Sequence, residues 1–442
     1  MSAGQNYYKT DGFRENNDLE RQLYNVFAQA SITPKTSIQA EYRYSNEKNG
    51  DLRLRFDPTN FLTNRRDELE KRIYRVGFHH NFTPGSDLIA NFQYQDAEAS
   101  GDLFPILEFL SDQEAYFLEG QYLYRFEKVI FEFGGGYFDS ELTDQTTFFQ
   151  TPLPLLEQNT SHANIYLYSK INYPKDFIWT IGGSADFVEE SIIDTDQLNP
   201  KFGVTWNVFP RTTVRGALFR VLRRTLISEQ TIEPTQIAGF NQFFDDVAGT
   251  DAWRYGMGID QKITDTIFAG GEFSKRDLDR PISDISQGDL VRHVDDNEIL
   301  GRAYFFWTPH DWFSIGVEYQ YEKFDRDSAF PGEDDVTELE THRIPLKFNF
   351  FHPLGLIAKL GVTYVDQNGR FGNTRVGGIT PGDDQFWILD SLIGYRLPKR
   401  YGLLSIEVKN LLDEDINFQD TDPSNPQIYP QRYIVGKITL SF

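Results

Sequence analysis

The last ten residues, Tyr433-Ile-Val-Gly-Lys-Ile-Thr-Leu-Ser-Phe442, decide the fold class of this chain. Successive side chains of a β-strand point to opposite sides, so this stretch has two faces. One face is apolar and consists of Ile434, Gly436, Ile438, Leu440 and Phe442. The other face consists of Tyr433, Val435, Lys437, Thr439 and Ser441. Soluble domains usually end in a frayed polar segment, whereas this pattern predicts a closing strand whose apolar face meets lipid.

The composition narrows the class further. The chain has 442 residues, with 43 Lys and Arg against 66 Asp and Glu, and a formal net charge of −23. This charge argues against nucleic-acid binding, which needs a basic surface. The absence of cysteine excludes disulfides and thiolate metal sites. The mean hydropathy of −0.49 predicts no transmembrane helix, yet 15% of the residues are aromatic. A chain that is polar on average and rich in aromatics is typical of a transmembrane β-barrel.

Short turns recur along the whole chain at intervals of about 45 residues. They are Thr33–Thr36, Thr83–Ser86, Glu127–Lys128, Pro174–Asp176, Pro210–Thr212, Thr264–Thr266, Pro309–Asp311, His352–Leu354 and Pro398–Arg400. Each interval fits two strands of about 10 to 13 residues, one tight turn and one long loop. Long polar segments such as Asn46–Glu68, Leu226–Asp251 and Asp325–Glu338 supply the loops. Short turns on one side and long loops on the other are the outer-membrane pattern.

Aromatic residues cluster beside the turns, where a membrane–water girdle belongs. They are Phe82, Tyr173, Phe209, Trp307, Trp312 and Phe351. Counting from Leu19 gives about 19 spanning segments, and Ser2–Lys9 supplies the upper end of one more. We therefore predict an all-β antiparallel barrel of about 20 strands. We expect residues 1–442 to be a single domain that lacks its N-terminal part, with residues 1–18 holding a clipped first strand and its outer loop.

Four arginines near the middle of the chain are candidates for ligand contact: Arg215, Arg220, Arg223 and Arg224. They predict either an anion-attracting patch in the lumen or an ordinary polar inner face with arginines at the membrane interface. The alternation leaves a difficulty, because Arg215 shares its face with Phe219 while Arg220 shares the other face with Leu218. Either one face accepts an odd residue or a bulge shifts the register.

The segment Leu226–Asp251 holds a second group of candidates, Phe240, Asn241, Phe243 and Phe244. It could fold into the lumen and touch a ligand, or it could pack on itself outside the barrel. The seven histidines show no metal-ligand spacing, and no nucleophile or phosphate-binding motif is present. We therefore expect no catalytic residue, no metal site and no cofactor.

Two stretches resemble the barrel of TonB-dependent receptors. The first runs from Asn199–Trp206 through Thr213–Arg220 and the Glu-Pro pair at 233–234 to Trp253–Gly258. The second is Leu404-Ser-Ile-Glu-Val-Lys-Asn-Leu-Leu-Asp413 followed by the closing strand. The resemblance implies a 22-stranded barrel, an N-terminal plug domain and a TonB-binding segment. Hairpins account for the whole chain, so TonB is expected to act only through a missing N-terminal region. The chain also looks like barrels that follow tetratricopeptide repeats in larger outer-membrane proteins.

The barrel class and the resemblance together imply a function. The first hypothesis is uptake of a bulky nutrient, such as a metal chelate or an oligosaccharide, across the outer membrane of a Gram-negative bacterium. The alternative is a plug-free export or diffusion pore, for example one that passes a secreted polysaccharide. We expect a transport protein rather than an enzyme. The implied partners are outer-membrane lipid, lipopolysaccharide and the barrel-assembly machinery.

Overall fold

The computed structural model describes residues 1–103, 105–190, 194–284, 290–326, 336–373, 378–421 and 428–440. The strands are β1 (Ser2–Thr10), β2 (Leu19–Thr33), β3 (Thr36–Asn49), β4 (Arg65–Thr83), β5 (Ser86–Leu103), β6 (Leu107–Arg125), β7 (Val129–Phe148), β8 (Thr151–Pro152), β9 (Leu156–Ile171), β10 (Phe177–Glu190), β11 (Asp194–Phe209), β12 (Thr212–Leu222), β13 (Gln236–Ile237), β14 (Phe240–Asn241), β15 (Asp251–Lys262), β16 (Ile267–Asp284), β17 (Leu290–His310), β18 (Phe313–Arg326), β19 (Val336–Phe351), β20 (Leu356–Asn373), β21 (Gly378–Arg396), β22 (Gly402–Lys409) and β23 (Tyr433–Leu440). Within these ranges, two short 3₁₀ turns lie at Ile227–Glu229 and Pro398–Arg400. Among the residues described, no helix has the length and apolar character needed to cross a bilayer.

One antiparallel sheet of 21 strands forms the wall of the molecule. Each long strand pairs with the next long strand along the chain, from β1–β2 to β22–β23. The two-residue strand β8 pairs only with β7, and β13 and β14 form a separate two-residue hairpin. Within the described ranges, twenty wall strands have eight or more residues, which confirms the predicted all-β fold and strand number.

All nine short turns lie at one end of the sheet, as the sequence predicts. We call this the turn end and the opposite one the loop end. Strand length departs from the prediction, since the long strands have 8 to 21 residues rather than about 10 to 13. Polar segments at the loop end continue the ladder instead of leaving it. Asn46 pairs with Glu70 and Lys48 with Glu68, because cross-strand polar partners satisfy these side chains above the apolar band.

The outer surface carries the predicted apolar band. Its lower margin, at the turn end, is marked by the aromatic residues predicted to lie beside the turns. All of these side chains are exposed. Its upper margin is marked by tyrosines on neighbouring strands, with ring centroids 5.0 Å apart for Tyr42–Tyr74 and for Tyr94–Tyr116. Directly above this row the outward side chains become charged, for example Arg72 paired with Asp96 at 3.1 Å. Tyrosines at such a margin are typical of a membrane-interface girdle.

The barrel wall has one seam. The described parts of β1 and β23 form no backbone ladder with each other, so the sheet is not closed. β1 ascends toward the loop end and β23 descends from it, which is the antiparallel relation that direct pairing requires. On the loop side, buried apolar clusters form between inward-facing wall residues and the loops that fold inside the barrel.

Candidate functional site: a loop folded into the lumen

Residues 223–250, which connect β12 to β15, fold into the lumen; we call them the inner loop. Contacts with strands far round the wall show its path. Ser228 Oγ donates to Gln93 of β5 at 3.3 Å, and the Ile232 amide donates to Glu119 of β6 at 2.7 Å. Gln121 of β6 donates to the Ile232 carbonyl at 2.7 Å. Four long strands separate β6 from β12, so the loop crosses the inside of the barrel.

An apolar seat on the wall holds the middle of the inner loop. Ile237 is 0% exposed and Phe240 is 3% exposed, and both pack in one buried cluster. The wall contributes inward-facing residues to this cluster, namely Tyr166, Tyr168, Ala217, Phe219, Val221, Ala252 and Leu278. The inner loop therefore shields this apolar part of the lumen face from water.

This seat resolves the face assignment of β12. Arg215 faces the lumen together with the apolar Phe219, because the inner loop covers that face. Arg220 faces outward at the loop end, where it pairs with Asp251 at 2.6 Å and lies 6.0 Å from the ring of Trp253. The register between β12 and β15 is continuous, so no bulge is involved.

Two wall glycines leave room for the inner loop. A Cβ at Gly203 would lie 2.7 Å from Cγ2 of Ile237. A Cβ at Gly256 would lie 2.6 Å from Cδ1 of Phe240. Real Cβ atoms do not approach other atoms so closely, so close contact between loop and wall depends on glycine at these two positions.

Buried charges anchor the beginning of the inner loop. Arg224 is 4% exposed and donates to Glu233 at 2.8 Å. Glu233 also accepts a 2.5 Å hydrogen bond from the hydroxyl of Tyr168, and Glu119 lies 4.0 Å from Arg224. Burial lowers the pKa of Arg224, but the neighbouring carboxylates, Glu233 first among them, outweigh it and raise the pKa above its ordinary value. Arg224 therefore stays charged and holds both acids.

The three predicted phenylalanines each cover an arginine with their ring. The distances from guanidinium carbon to ring centroid are 5.3 Å for Arg215–Phe240, 5.7 Å for Arg254–Phe240, 5.5 Å for Arg224–Phe243, 4.7 Å for Arg254–Phe244 and 3.8 Å for Arg276–Phe244. Asp246 completes this end of the loop with an ion pair to Arg276. Each cation–π contact is worth about 0.5–2 kcal/mol, so these contacts hold the inner loop against the barrel wall.

The predicted lumen residues are therefore brought together, but mostly with one another. Arg215 is neutralised by Asp260 at 2.8 Å and Glu272 at 3.2 Å. Arg223 pairs with Glu229 at 2.8 Å. Asn241 accepts from Gln236 through its side chain at 2.9 Å and from Arg254 through its carbonyl at 2.7 Å. Arg215 and Arg223 are therefore both neutralised by carboxylates of the chain.

The predicted closing strand lies at the edge of the sheet. Ile434, Ile438 and Leu440 are exposed on the outward face, in register with β22, where Leu404 stands opposite Ile438. Phe442 lies outside the described residues. The contribution of these three residues and of Phe442 to barrel assembly stays a prediction.

Several residues of the site were not predicted as site residues, although Glu233 and Arg254 stand in the stretch that resembles the receptor barrels. They are Glu119, Tyr166, Tyr168, Glu233 and Arg254. A signal existed for the tyrosines: Tyr166 and Tyr168 share one face of β9, and that face is the inward one. Large aromatics on the inward face of a barrel strand indicate that protein, rather than water, fills the lumen there.

Comparison with known proteins gives structural likeness only. No protein-family model matches the chain, and no curated protein matches its sequence. Pseudomonas aeruginosa FpvA bound to a pyoverdine–iron complex superposes with a TM-score of 0.73 at 12% identity, covering 100% of this chain and 67% of that one. The ferric citrate transporter FecA gives 0.71 at 15%, covering 100% and 73%. The FrpB iron transporter from Neisseria meningitidis gives 0.74 at 13%, covering 100% and 76%.

At these identities the likeness concerns the fold and not a substrate. The chain spans about two thirds of the length of an FpvA chain, 66% in its complex with pyocin S2. Its wall superposes over its whole length on receptor and transporter barrels, as the two motif-bearing stretches predict. The chain therefore has the fold of the outer-membrane barrel of TonB-dependent receptors.

Proposed function

We propose that this chain forms the barrel of a gated outer-membrane receptor that takes up a bulky nutrient, such as a metal chelate or an oligosaccharide. The fold supports an uptake barrel, since similar structures are named as a ferripyoverdine receptor, a ferric citrate transporter and an iron transporter. The inner loop is the observation that carries the proposal. It sits in the lumen, crosses from β12 to β5–β6 and is held by buried ion pairs and ring contacts.

A passive diffusion pore needs a polar lumen filled with water. In this barrel, apolar residues of the wall and of the inner loop pack against each other inside the lumen. A large solute can therefore pass through the part of the lumen that is lined by β5 to β16 only if the inner loop moves. A barrel that opens in this way is gated. A permanently open pore, including one for a secreted polysaccharide, would need this part of the lumen to be filled with water rather than with packed apolar side chains.

The proposal includes an orientation and a context. We place the turn end in the periplasm and the loop end outside the cell, so that lipopolysaccharide surrounds the tyrosine row and the charged side chains above it. We treat residues 1–442 as one barrel domain of a longer protein. TonB would then energise transport through a region outside this chain, and the barrel-assembly machinery would insert the wall.

Single-channel recording in planar bilayers tests the proposal. The full chain is compared with a variant in which residues 226–248 are replaced by a short Gly–Ser linker. The matched control replaces residues 149–155, an exposed segment that also lies at the loop end. We expect low conductance for the full chain and the control, and large open steps for the inner-loop variant. A full chain that conducts as a wide pore, with no change on replacing the loop, would instead support a diffusion or export pore.

A further inference from the structure

A second lumen feature lies beside the inner loop, between it and residues 418–421. It is a cavity of about 420 Å³. Its polar wall side chains come from five consecutive strands, β15 to β19, and are Arg254, Glu272, Ser274, Arg302, Gln320, Glu322, Thr341 and Arg343. Phe418, Asp420 and Thr421 close the side away from these strands. The volume falls in the range of small-molecule sites, about 300–1,000 Å³.

Arg254 is the exceptional cation of this cavity. It is 8% exposed and donates to the carbonyl of Asn241 at 2.7 Å and to Oγ of Ser274 at 2.9 Å. Its Nε has no hydrogen-bond partner. Among the described residues, no carboxylate lies within ion-pair distance of it. A buried guanidinium with an unused donor and no counter-ion indicates that an anionic partner is supplied from outside the chain.

The other charges of the cavity differ from Arg254. Arg302 is paired with Glu318 at 2.8 Å, and Glu272 is paired with Arg215 at 3.2 Å. Glu322 on β18 has no partner at ion-pair distance among the described residues, and its main charged neighbour is Arg343 of β19, which lines the same cavity. The cavity therefore offers Arg254 as a buried cation that no described carboxylate pairs with, and Glu322 as a carboxylate without a direct ion pair. The neutral hydrogen-bonding side chains of Ser274, Gln320 and Thr341 lie along the same wall.

We propose that this cavity binds a hydroxylated carboxylate, either an acidic sugar or a hydroxycarboxylate. Arg254 holds the carboxylate by charge-assisted hydrogen bonds. Glu322 accepts from the hydroxyl groups, for which a carboxylate is a strong acceptor. A more highly charged anion such as a phosphate is disfavoured, because Glu272, Glu322 and Asp420 line the same space. The inference rests on the proposed uptake function and names its substrate class.

The position of Arg254 also joins this site to the inner loop. The guanidinium that would hold the ligand is the one that donates to Asn241 and lies under the rings of Phe240 and Phe244. A ligand that reorients Arg254 therefore acts directly on the loop that fills the lumen.

Isothermal titration calorimetry on the full chain in detergent tests the proposal with three probes. Glucuronate and glucose differ only in the carboxylate, and citrate represents a linear hydroxycarboxylate. We expect glucuronate or citrate to bind at least tenfold more tightly than glucose, since a charge-assisted hydrogen bond to carboxylate is involved. Which of the two binds more tightly distinguishes an acidic sugar from a hydroxycarboxylate.

Variants assign the interaction to the cavity. Arg254→Gln should weaken binding of the anionic probe at least tenfold, and Glu322→Gln should weaken it without abolishing the preference over glucose. Arg211→Gln removes the same charge at an exposed periplasmic turn and should leave binding unchanged. Equal binding of glucuronate, citrate and glucose, or no binding of the acids, would overturn the proposal. So would binding that Arg254→Gln leaves intact.

The outcomes separate this site from the proposed function. Anion binding through Arg254 in a barrel that conducts as an open pore would keep the site and reject gated uptake. Loop-gated conductance without selective anion binding would keep the gated barrel and reject the site.

Discussion

The hydroxyl oxygens of Tyr8, on the first strand, and Tyr433, on the last, lie 3.4 Å apart across the seam of the barrel. Both side chains face the lumen, so the two edges meet with matching faces even though no backbone ladder joins them there. A second connection crosses the seam at the loop end. Phe56, from the loop between β3 and β4, stacks on Phe371 of β20 with centroids 4.4 Å apart, and its amide donates to Gln419 at 3.1 Å.

The first prediction ranks these two seam contacts. Phe56→Ala removes a stacked ring that bridges the seam and should destabilise the barrel by about 2 kcal/mol, less than the loss of a fully buried ring. Tyr433→Phe removes only one hydroxyl and should cost about 0.5–1.5 kcal/mol. The temperature at which the folded band converts to the unfolded band on a gel measures both. A larger shift for Tyr433→Phe would show that the tyrosine pair, and not the loop, fastens the seam.

The second prediction concerns the glycine beneath the inner loop. Gly256→Ala puts a Cβ against the ring of Phe240 and should displace the loop at a cost of about 1–3 kcal/mol. Gly216→Ala on the neighbouring strand is the control, because its Cβ would meet Val204 Cγ1 at an ordinary 3.5 Å. Hydrogen exchange of residues 236–246 should rise in the first variant and stay unchanged in the second. Equal protection in both would mean that the loop does not depend on this contact.

The third prediction compares two adjacent arginines. Arg224→Gln leaves Glu233 and Glu119 buried without their cation, which should destabilise the loop by about 3–5 kcal/mol. Arg223→Gln breaks a pair with the largely exposed Glu229 and two hydrogen bonds to the carbonyls of Arg224 and Asp246, and should cost less, about 1–2 kcal/mol. Protease sensitivity of the inner loop in detergent reports the difference. Similar sensitivity in the two variants would contradict the buried anchor.

The fourth prediction tests the two faces of the closing strand. Ile438 is 71% exposed on the outward face and lies toward the turn end, opposite Leu404, so Ile438→Lys would place a charge toward lipid at a cost of about 1–2 kcal/mol, between the interfacial and the midplane values. Thr439→Lys faces the lumen and should cost little. The yield of assembled barrel in the outer membrane measures both changes. If the two variants assemble equally well, the face assignment of β23 is wrong.

The fifth prediction is a pH dependence from the loop between β3 and β4. Burial alone would raise the pKa of Asp51, but hydrogen bonds from the Leu62 amide at 2.9 Å and Arg55 at 2.7 Å, with the charges of Arg55 and Arg14, hold that pKa below its ordinary value. A carboxyl whose pKa is lowered by folding stabilises the native state above its unfolded pKa. This stabilisation is lost as the pH falls through the lowered value.

Asp51→Asn should therefore destabilise the protein by about 3–5 kcal/mol at pH 7, and the difference from the parent should shrink below about pH 4. Thermal unfolding of both proteins from pH 7 to pH 2.5 measures it. Asp11→Asn, at an exposed position between β1 and β2, is the matched control and should leave the stability unchanged over this pH range. A difference that stays constant over this range would show that the ionised Asp51 carboxylate does not stabilise the fold.

The wall could be predicted from the sequence because each strand encodes its two faces locally. The turns, the strand number and the outward position of Ile434, Ile438 and Leu440 follow from alternation and turn residues alone. Strand length could not, since polar pairs such as Asn46 and Glu70 extend the ladder only when the neighbouring strand is in place.

The inner loop could not be placed for a different reason. Its phenylalanines fit a lumen site and an external loop equally well as long as their partners are unknown. The decisive partners are Arg276 on β16, Tyr168 on β9 and Glu119 on β6, which are far apart in sequence. One sign of this placement is present in the sequence. Arg215 shares its face of β12 with the apolar Phe219, and an apolar side chain in the lumen is stable only where other protein groups shield it from water.

The path of the inner loop also has a mechanical consequence. It ties the wall at β5–β6 to the wall at β12–β16 and so acts as a chord across a ring. A chord braces the arc that it subtends. In the described part of the chain, the remaining arc, from β17 through the seam to β4, is braced only at the loop end, where the loops after β3 and β22 pack on β20 and β21. Within that arc the loop between β3 and β4 fastens the seam only at the loop end. Elastic deformation of the barrel is therefore concentrated in the half that contains the seam, and it increases toward the turn end.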